Sequence, residues 1–431
     1  MNKEKNLGVT AYTKDFWLRL DNAAKIYPAV KDRELTSVFR VAVELKERIK
    51  AKQFLEAVHS IEDRFPYYKV ELKAGFFWYY LEPHDWPIPV KPDKGLPCRA
   101  FYKDELMFRV LAKECTISVE FSHILTDATG AVEFLKTILI IYFEKCGLKF
   151  SRETLLFDVA VPPAQEEYED SYNRYFKKID APPPKIPRAF HVPFHLRNIP
   201  RFETLTAIVP IDTIITKARE YEVSLTEYLI AVYIFSLQKI YRHLSAFRKR
   251  ASKRIIRIEV PVNLRKMFPS RTMRNFSLYV IPGIDLRLGN YTFEEIVKTV
   301  HHQMQLETDK KLISKMISRN VSGEKNPIVR GTPLFIKSLI LSKLYALSTG
   351  QYSGVVTNLG KINLNPEINN LINKFSFIPP PPNKILKVNC GVVGFENKLV
   401  LTFGNITTSK ELEREFLTFL TAEGIAVKLV K

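Results

Sequence analysis

The segment SVEFSHILTDATGAVEFLKTIL sets His123 at the end of an apolar, strand-like run and Asp127 four residues on, with Thr129 and Gly130 just ahead of an apolar helix. An imidazole titrates near ~6.5, so its neutral form can take a proton from an alcohol, amine or thiol at cellular pH. Asp127 would fix the turn that carries it. A lone histidine beside an apolar strand also serves as an ordinary core or surface residue, and His-x-x-x-Asp recurs by chance. The chemical reading therefore rests on the setting: strand, histidine, short polar turn with glycine, buried helix.

The elements that must hold this turn are a mixture. Apolar spacing predicts a helix within 34–58, an aromatic strand at 75–81 (GFFWYYL), a strand at 116–122 and a helix at about 131–143. After an acidic stretch at 166–170, the prolines of APPPKIPRAFHVPF forbid a regular helix or central strand and mark a crossover. Beyond it, Ser224 and Glu227 form a capping box for a buried helix at about 225–241. A strand at 255–260 follows. Near the end, 384–395 and 398–404 read as a hairpin around Glu396-Asn397, then a helix at about 410–420 capped by Thr408 and Glu411. Strands mixed with helices give an α/β or α+β class.

With 431 residues, 46% of them hydrophobic, the chain exceeds what one core serves, since single cores stop growing near ~250 to 300 residues. We expect an N-terminal lobe at 1–180 carrying the histidine, a proline-rich crossover at 181–200 and a C-terminal lobe at 201–431. The four cysteines (Cys98, Cys115, Cys146, Cys390) are far apart with no Cys-x-x-Cys pair, against a disulfide framework or structural zinc. The start, MNKEKNLGVT, is polar, and the longest apolar run, 229–235, is short of the ~18 residues of a membrane span, so a soluble cytoplasmic protein is expected.

Lys and Arg (65) outnumber Asp and Glu (46), for a formal charge of +19, which favours an anionic partner. The densest patch is Arg248, Lys249, Arg250, Lys253, Arg254 and Arg257, either a solvated loop or a site for coenzyme A phosphates or an anionic lipid headgroup. Nucleic acid is the least supported partner, as no recognition-helix or aromatic-interleaved basic motif stands out. The chain has no Gly-x-Ser-x-Gly elbow and no phosphate-binding Gly-x-x-x-x-Gly-Lys loop. His301-His302 reads as a solvated helix face rather than a metal site, and His191 and His195 as structural residues of the crossover.

His123-Ile-Leu-Thr-Asp127 resembles the His-x-x-x-Asp-Gly motif of the chloramphenicol acetyltransferase-like superfamily, which includes alcohol acetyltransferases and the condensation domains of peptide synthetases. FWLRLDNAAKIYPAV, PVNLRKMFPSRTMRNFS and VVTNLGKINL are similar to segments of bacterial alcohol-acetyltransferase-like proteins, so the resemblance runs over nearly the whole chain. It implies two lobes, each a mixed sheet flanked by helices, with a tunnel between them in which an acyl thioester meets an acceptor at the histidine. It further implies His123 as general base without a covalent enzyme intermediate, a coenzyme A thioester as co-substrate with no tightly bound cofactor, and no metal. Asp127 becomes a structural residue paired with a basic side chain, either Arg265 or Arg19.

Asn358, Thr357 and Asn263 are candidate oxyanion donors by their chemistry. The acceptor would be a small-molecule or lipid-like alcohol, or an amine, and an acyl carrier protein could deliver the acyl group in place of free coenzyme A. Two positions depart from the motif. Ser122 stands where many relatives have a second histidine, and Ala128 where the motif has glycine. If that position needs a positive φ, alanine costs about 1 kcal/mol, and either Gly130 takes over the turn or the protein is a non-catalytic scaffold binding through its basic surface.

Overall fold

In the computed structural model, residues 17–430 are described, except 31–35, 103, 150–156, 181 and 183. The polar start MNKEKNLGVT lies outside them. In chain order the first part supplies β1 (Val38–Leu45), β2 (Val90–Pro92), β3 (Phe108–Lys113), β4 (Thr116–Ser122) and α1 (Ala128–Lys145). The second supplies β5 (Glu203–Pro210), α2 (Leu225–His243), β6 (Ile255–Asn263), β7 (Ser277–Val280), α3 (Leu334–Thr349), β8 (Gly354–Lys361), β9 (Ile372–Ile378), β10 (Val388–Phe395) and β11 (Lys398–Asn405).

Two mixed sheets organise these elements, as an α/β reading of the sequence requires. The first has the order β9-β1-β4-β3-β2, antiparallel except for the β2/β3 pair. The second runs β7-β6-β8-β10-β11-β5 and on to Lys428–Val430, with β8 parallel to both its neighbours. One core packs the first sheet against α1, and another packs the second sheet against α2. The central strand β1 is buried on both faces, so its apolar residues run nearly continuously rather than alternating. That run is why 34–58 scanned as helical: the structure instead has a strand and then a separate helix, Ala51–Ser60. Arg40, on β1, is held in this interior by Glu120 of β4 (2.8 Å) and Asp93 (2.7 Å).

The lobe division expected at 181–200 is crossed by one strand. β9 leaves the second half of the chain and pairs with β1 across the full register from Ile372↔Leu45 to Ile378↔Arg40. Phe375 and Phe377 thereby enter the first core. The Pro379–Pro382 run brings the chain back to β10, where Gly391 leaves room for Phe377 and Pro379; a Cβ there would sit 2.7 Å from the Phe377 ring.

Two smaller expectations change. The aromatic strand at 75–81 is a hairpin, Val70–Ala74 with Tyr79–Pro83, and Phe76 and Phe77 lie at its exposed tip. The last helix, Glu411–Ala422, has no side-chain cap from Thr408, whose hydroxyl donates to the His195 carbonyl; the Ser409 hydroxyl accepts from the Glu411 N–H instead.

The segment after α1 is clamped by one buried ion pair. Arg64 donates to Glu167 through two nitrogens (2.7 and 2.8 Å), and Glu167 also accepts from the Tyr67 hydroxyl and the Ala164 N–H. The Glu167 carbonyl accepts from the Met273 N–H (2.6 Å), tying the 271–276 loop to the clamp. Glu167→Ala leaves a buried guanidinium without its partner and is expected to cost about 3–5 kcal/mol, seen as a fall in melting temperature far larger than that of an exposed change such as Arg414→Ala.

Candidate active site

The site begins where β4 ends. The His123 N–H bonds to the Ser37 carbonyl (2.9 Å), which carries the chain off the sheet edge into the turn. Ser122, at the place of the second histidine, bonds through its hydroxyl with Ser37 (3.2 Å) and caps the Ile124 N–H (3.3 Å). The turn closes on Asp127, the N-cap of α1, whose Oδ1 accepts from the N–H groups of Thr129 (3.1 Å) and Gly130 (3.2 Å).

Ala128 is the first residue of α1 and has no positive φ. Alanine is a good residue there, so the strain expected at this position does not arise. Gly130 is likewise helical rather than part of the turn. Its lack of a side chain matters for space: a Cβ would fall 2.2 Å from the Thr126 hydroxyl, 2.6 Å from the Met273 carbonyl and 2.7 Å from the Tyr68 hydroxyl. Here the motif packs directly on the 271–276 loop.

Asp127 Oδ2 faces the other lobe. It accepts from Arg265 (2.8 Å) and from the Phe276 N–H (2.9 Å). Arg265 spends its remaining donors on the carbonyls of Thr272 (3.0 and 3.1 Å) and Arg274 (2.6 Å), so one guanidinium shapes the loop and pins it to the motif. Thr126 and Tyr68 add hydrogen bonds to the Met273 carbonyl (2.5 and 2.8 Å). Arg19, the alternative partner for Asp127, lies instead over the Trp17 ring, and its carbonyl accepts from Arg274.

The loop so held delivers Asn275 to His123. Both amide protons of Asn275 are committed, one to Asp21 Oδ2 (3.0 Å) and one to the His123 carbonyl (2.9 Å). Its Oδ1 must therefore face the ring, and it sits 3.4 Å from His123 Nδ1. An acceptor at Nδ1 selects the tautomer with the proton there and leaves Nε2 with a lone pair. Tyr27 stacks on the imidazole (5.3 Å between ring centres) and Phe39 packs at 4.6 Å. Burial holds the imidazole pKa below its ordinary value, opposed by the Asn275 hydrogen bond and the charge of Asp127. His123 is therefore neutral at cellular pH while keeping some accessible surface.

Three residues of this arrangement carry no motif of their own. Asn275 falls within PVNLRKMFPSRTMRNFS and Tyr27 within FWLRLDNAAKIYPAV, but nothing in either segment points to the ring. The third is Glu259, on the face of β6 turned away from the core residues Ile256, Ile258 and Val260. It bonds with Tyr352, and burial pushes its carboxyl up to about 7 although part of it stays accessible. Tyr27, which stacks on His123, lies within electrostatic reach of Glu259, Tyr345, Asp21 and Asp127.

The other candidates divide. Asn358 Nδ2 donates to Thr226 (3.0 Å) and its Oδ1 accepts from the Gly360 N–H, beside a cleft of about 300 Å³ at the start of α2. Asn263 donates to Thr129 (3.2 Å) and accepts from Arg265. Thr357 is in register with Gly391, on the same face as Val393, which belongs to the first core, so Thr357 faces the other lobe. Arg248, Lys249 and Arg250 lie on a short helix, Ala246–Ala251, ahead of β6. With Lys253 they sit at the opposite end of that strand from Asn263, roughly 26 Å away at ~3.3 Å per residue, so the structure does not bring them to the histidine. His301 contacts Glu227 (3.3 Å), and among the described residues no group of three metal-ligating side chains forms.

No family model matches the chain, and no curated protein matches its sequence. Solved structures do match in shape. The trichothecene 15-O-acetyltransferase of Fusarium sporotrichioides aligns over 96% of both chains at 8% identity with a TM-score of 0.58. F. sporotrichioides TRI101, complexed with coenzyme A and T-2, aligns over 97% of this chain and all of its own at 8% identity and 0.61. The epimerization domain from the third module of tyrocidine synthetase B aligns over 98% of both chains at 10% identity and 0.60. The chain has the chloramphenicol acetyltransferase-like fold. That fold is shared by acetyltransferases and peptide-synthetase domains alike.

Two predictions follow from the site's physics. Gly130→Ala pushes α1 off the 271–276 loop and is expected to lower the melting temperature, whereas His123→Ala leaves it nearly unchanged. Glu259 is still protonated in the folded chain at pH values where an unfolded glutamate, titrating near 4.5, is ionised. Its contribution to stability is complete below the unfolded value and is lost as pH rises through about 7. The melting temperature of Glu259→Gln relative to the parent should therefore climb between about pH 5 and pH 8; a constant difference would contradict this account.

Proposed function

We propose that the protein is an acyltransferase that moves an acyl group from a coenzyme A thioester to a hydroxyl acceptor, with His123 as general base. The observation that carries this reading is the orientation of the imidazole: Asn275, with both protons spent on Asp21 and the His123 carbonyl, offers only an acceptor to Nδ1, which keeps the proton there and makes Nε2 the basic nitrogen. The acetyltransferase among the structures of like shape, and the coenzyme A held by TRI101, support the transferase class and the donor.

In this reading Nε2 takes the proton from the acceptor hydroxyl as its oxygen attacks the thioester carbonyl. The tetrahedral intermediate collapses, the C–S bond breaks, and the departing thiolate recovers the proton from Nε2. No acyl group rests on the protein. We assign the oxyanion donor to Thr357, because it faces the first lobe while Asn358, in register with Val392 of the second core, donates to Thr226 on the other face of the sheet. Asp127 and Arg265 act through position: they hold the loop that holds Asn275.

The test is release of free thiol from acetyl- and longer acyl-coenzyme A across a panel of alcohols and amines. His123→Ala is expected to lose about 10²-fold or more in turnover, and Thr357→Val about 10²-fold in kcat with little change in KM. Asn275→Leu should lower kcat while the histidine is still present, because Nδ1 loses its acceptor. Since burial lowers the imidazole pKa, the acid limb of kcat/KM should fall below the ordinary value of 6.5. Turnover that survives in His123→Ala would defeat the reading.

A pH-independent proof of direct transfer is also available. Denatured protein taken from a turnover mixture with radiolabelled acyl donor should carry no label.

A further inference from the structure

Helix α3 is built with its apolar stripe on the outside. Its inner stripe is comparatively polar: Lys337 donates to the carbonyls of Phe77 (2.9 Å) and Arg330 (3.2 Å), and Ser348 bonds with Tyr279 (3.0 Å). Only two of its sixteen residues, Lys337 and Thr349, are buried. The outward stripe carries Phe335 (69% exposed), Leu339 (66%), Leu344 (53%) and Leu347 (53%). A helix apolar over so much of its surface normally lies in a core or in lipid.

The neighbouring elements extend the same surface. The Leu334 N–H bonds to the Phe76 carbonyl (2.9 Å), and the Lys337 ammonium lies 3.7 Å from the centre of the Trp78 ring. The hairpin tip is thus stapled beside the helix with Phe76 72% exposed, and Ile328, on the short helix before α3, is 80% exposed. The patch is a fixed feature rather than a frayed end. It is also basic. Lys325, Arg330 and Lys343 are exposed along it, and the one acid between 319 and 349, Glu324, is already paired with Lys25 and Asn22.

We infer that α3 and the Phe76 tip form a docking surface for an anionic lipid bilayer, with the helix lying in the headgroup boundary. Exposed apolar side chains flanked by cations suit that boundary, where burial of apolar area and attraction to anionic headgroups add. A second copy of a chain of charge +19 would set like charges against each other, which disfavours self-association as the occupant. The helix cannot span: among the described residues no single helix is long and apolar enough to cross a membrane.

The placement of the patch gives it a use. The Tyr345 end of α3 packs on the turn Ala24–Val30, whose Tyr27 stacks on His123. One helix therefore joins the docking surface to the imidazole. Resting on the acyltransferase reading, this arrangement makes the acceptor a lipid-like alcohol that reaches His123 from the bilayer.

The experiment is sedimentation of the full chain with vesicles of phosphatidylcholine alone and of phosphatidylcholine containing about a third phosphatidylglycerol. The parent protein and His123→Ala should both sediment with the anionic vesicles. Binding should weaken on raising salt to about 0.5 M and drop about tenfold or more in Leu339→Asp/Leu344→Asp. These positions are exposed, so that variant should keep the parent's circular dichroism and thiol-release rate toward a short, soluble alcohol. Failure of the parent to bind anionic vesicles overturns the proposal and returns the face to a protein partner. So does binding untouched by the double substitution, or a dimer in light scattering that the double substitution dissolves. Vesicle binding that persists in His123→Ala while no acyl transfer is found in the parent would leave the surface standing and remove only the acyltransferase reading.

Discussion

The two lobes meet on a carboxylate. Asp127 uses one oxygen to cap α1 within the first lobe and the other to accept from Arg265 and the Phe276 backbone of the second. A carboxylate satisfied on both oxygens by charged and backbone donors is among the stronger polar arrangements available to a protein, because removing any partner strands a desolvated charge. The hydrogen bond that orients the imidazole depends on it. Arg265 shapes the 271–276 loop, the loop presents Asn275, and Asn275 decides which imidazole nitrogen carries the proton.

Much of the frame was legible because it is local. The β4 strand, its histidine, the turn and the helix after it follow one another in the chain, so spacing alone could propose them. Asp127 as the fixing residue and Arg265 as a candidate partner came from the motif and its resemblance. The capping box of α2 likewise formed as read, with Ser224 and Glu227 exchanging hydrogen bonds. The structure departs from the sequence reading in three physical ways. A strand buried on both faces lacks alternation, so β1 imitated a helix. A hairpin tip with aromatic residues imitated a strand, because strand propensity does not report whether the side chains have anything to pack against. Ala128 was judged on the assumption of a positive φ, whereas an aspartate N-cap places the next residue in ordinary helical geometry.

What could not be read is what depends on long-range register. Asn275 is 152 residues from His123 in sequence, and no pattern in its own segment distinguishes it from a turn asparagine. Tyr27 stacks on the histidine from nearly a hundred residues upstream. The hydrogen bond of Asn358 to Thr226 is equally a matter of long-range register, and the pairing of β8 with β10 puts Thr357 on the face toward the first lobe. The basic patch at 248–254 stood out by density, yet it opens the strand whose far end meets the site.

The exchange of β9 has a consequence for how the protein is made. The first sheet takes its edge strand from residues 372–378, so β1 has no partner on that side until that segment, more than 320 residues later, has left the ribosome. A nascent first lobe must wait with an apolar, unpaired strand edge exposed, the condition that invites intermolecular pairing. Cleaving the chain at the proline-rich crossover would accordingly yield no two independent pieces. The lobe carrying the histidine is completed by its neighbour, and its sheet closes only once β9 has been made.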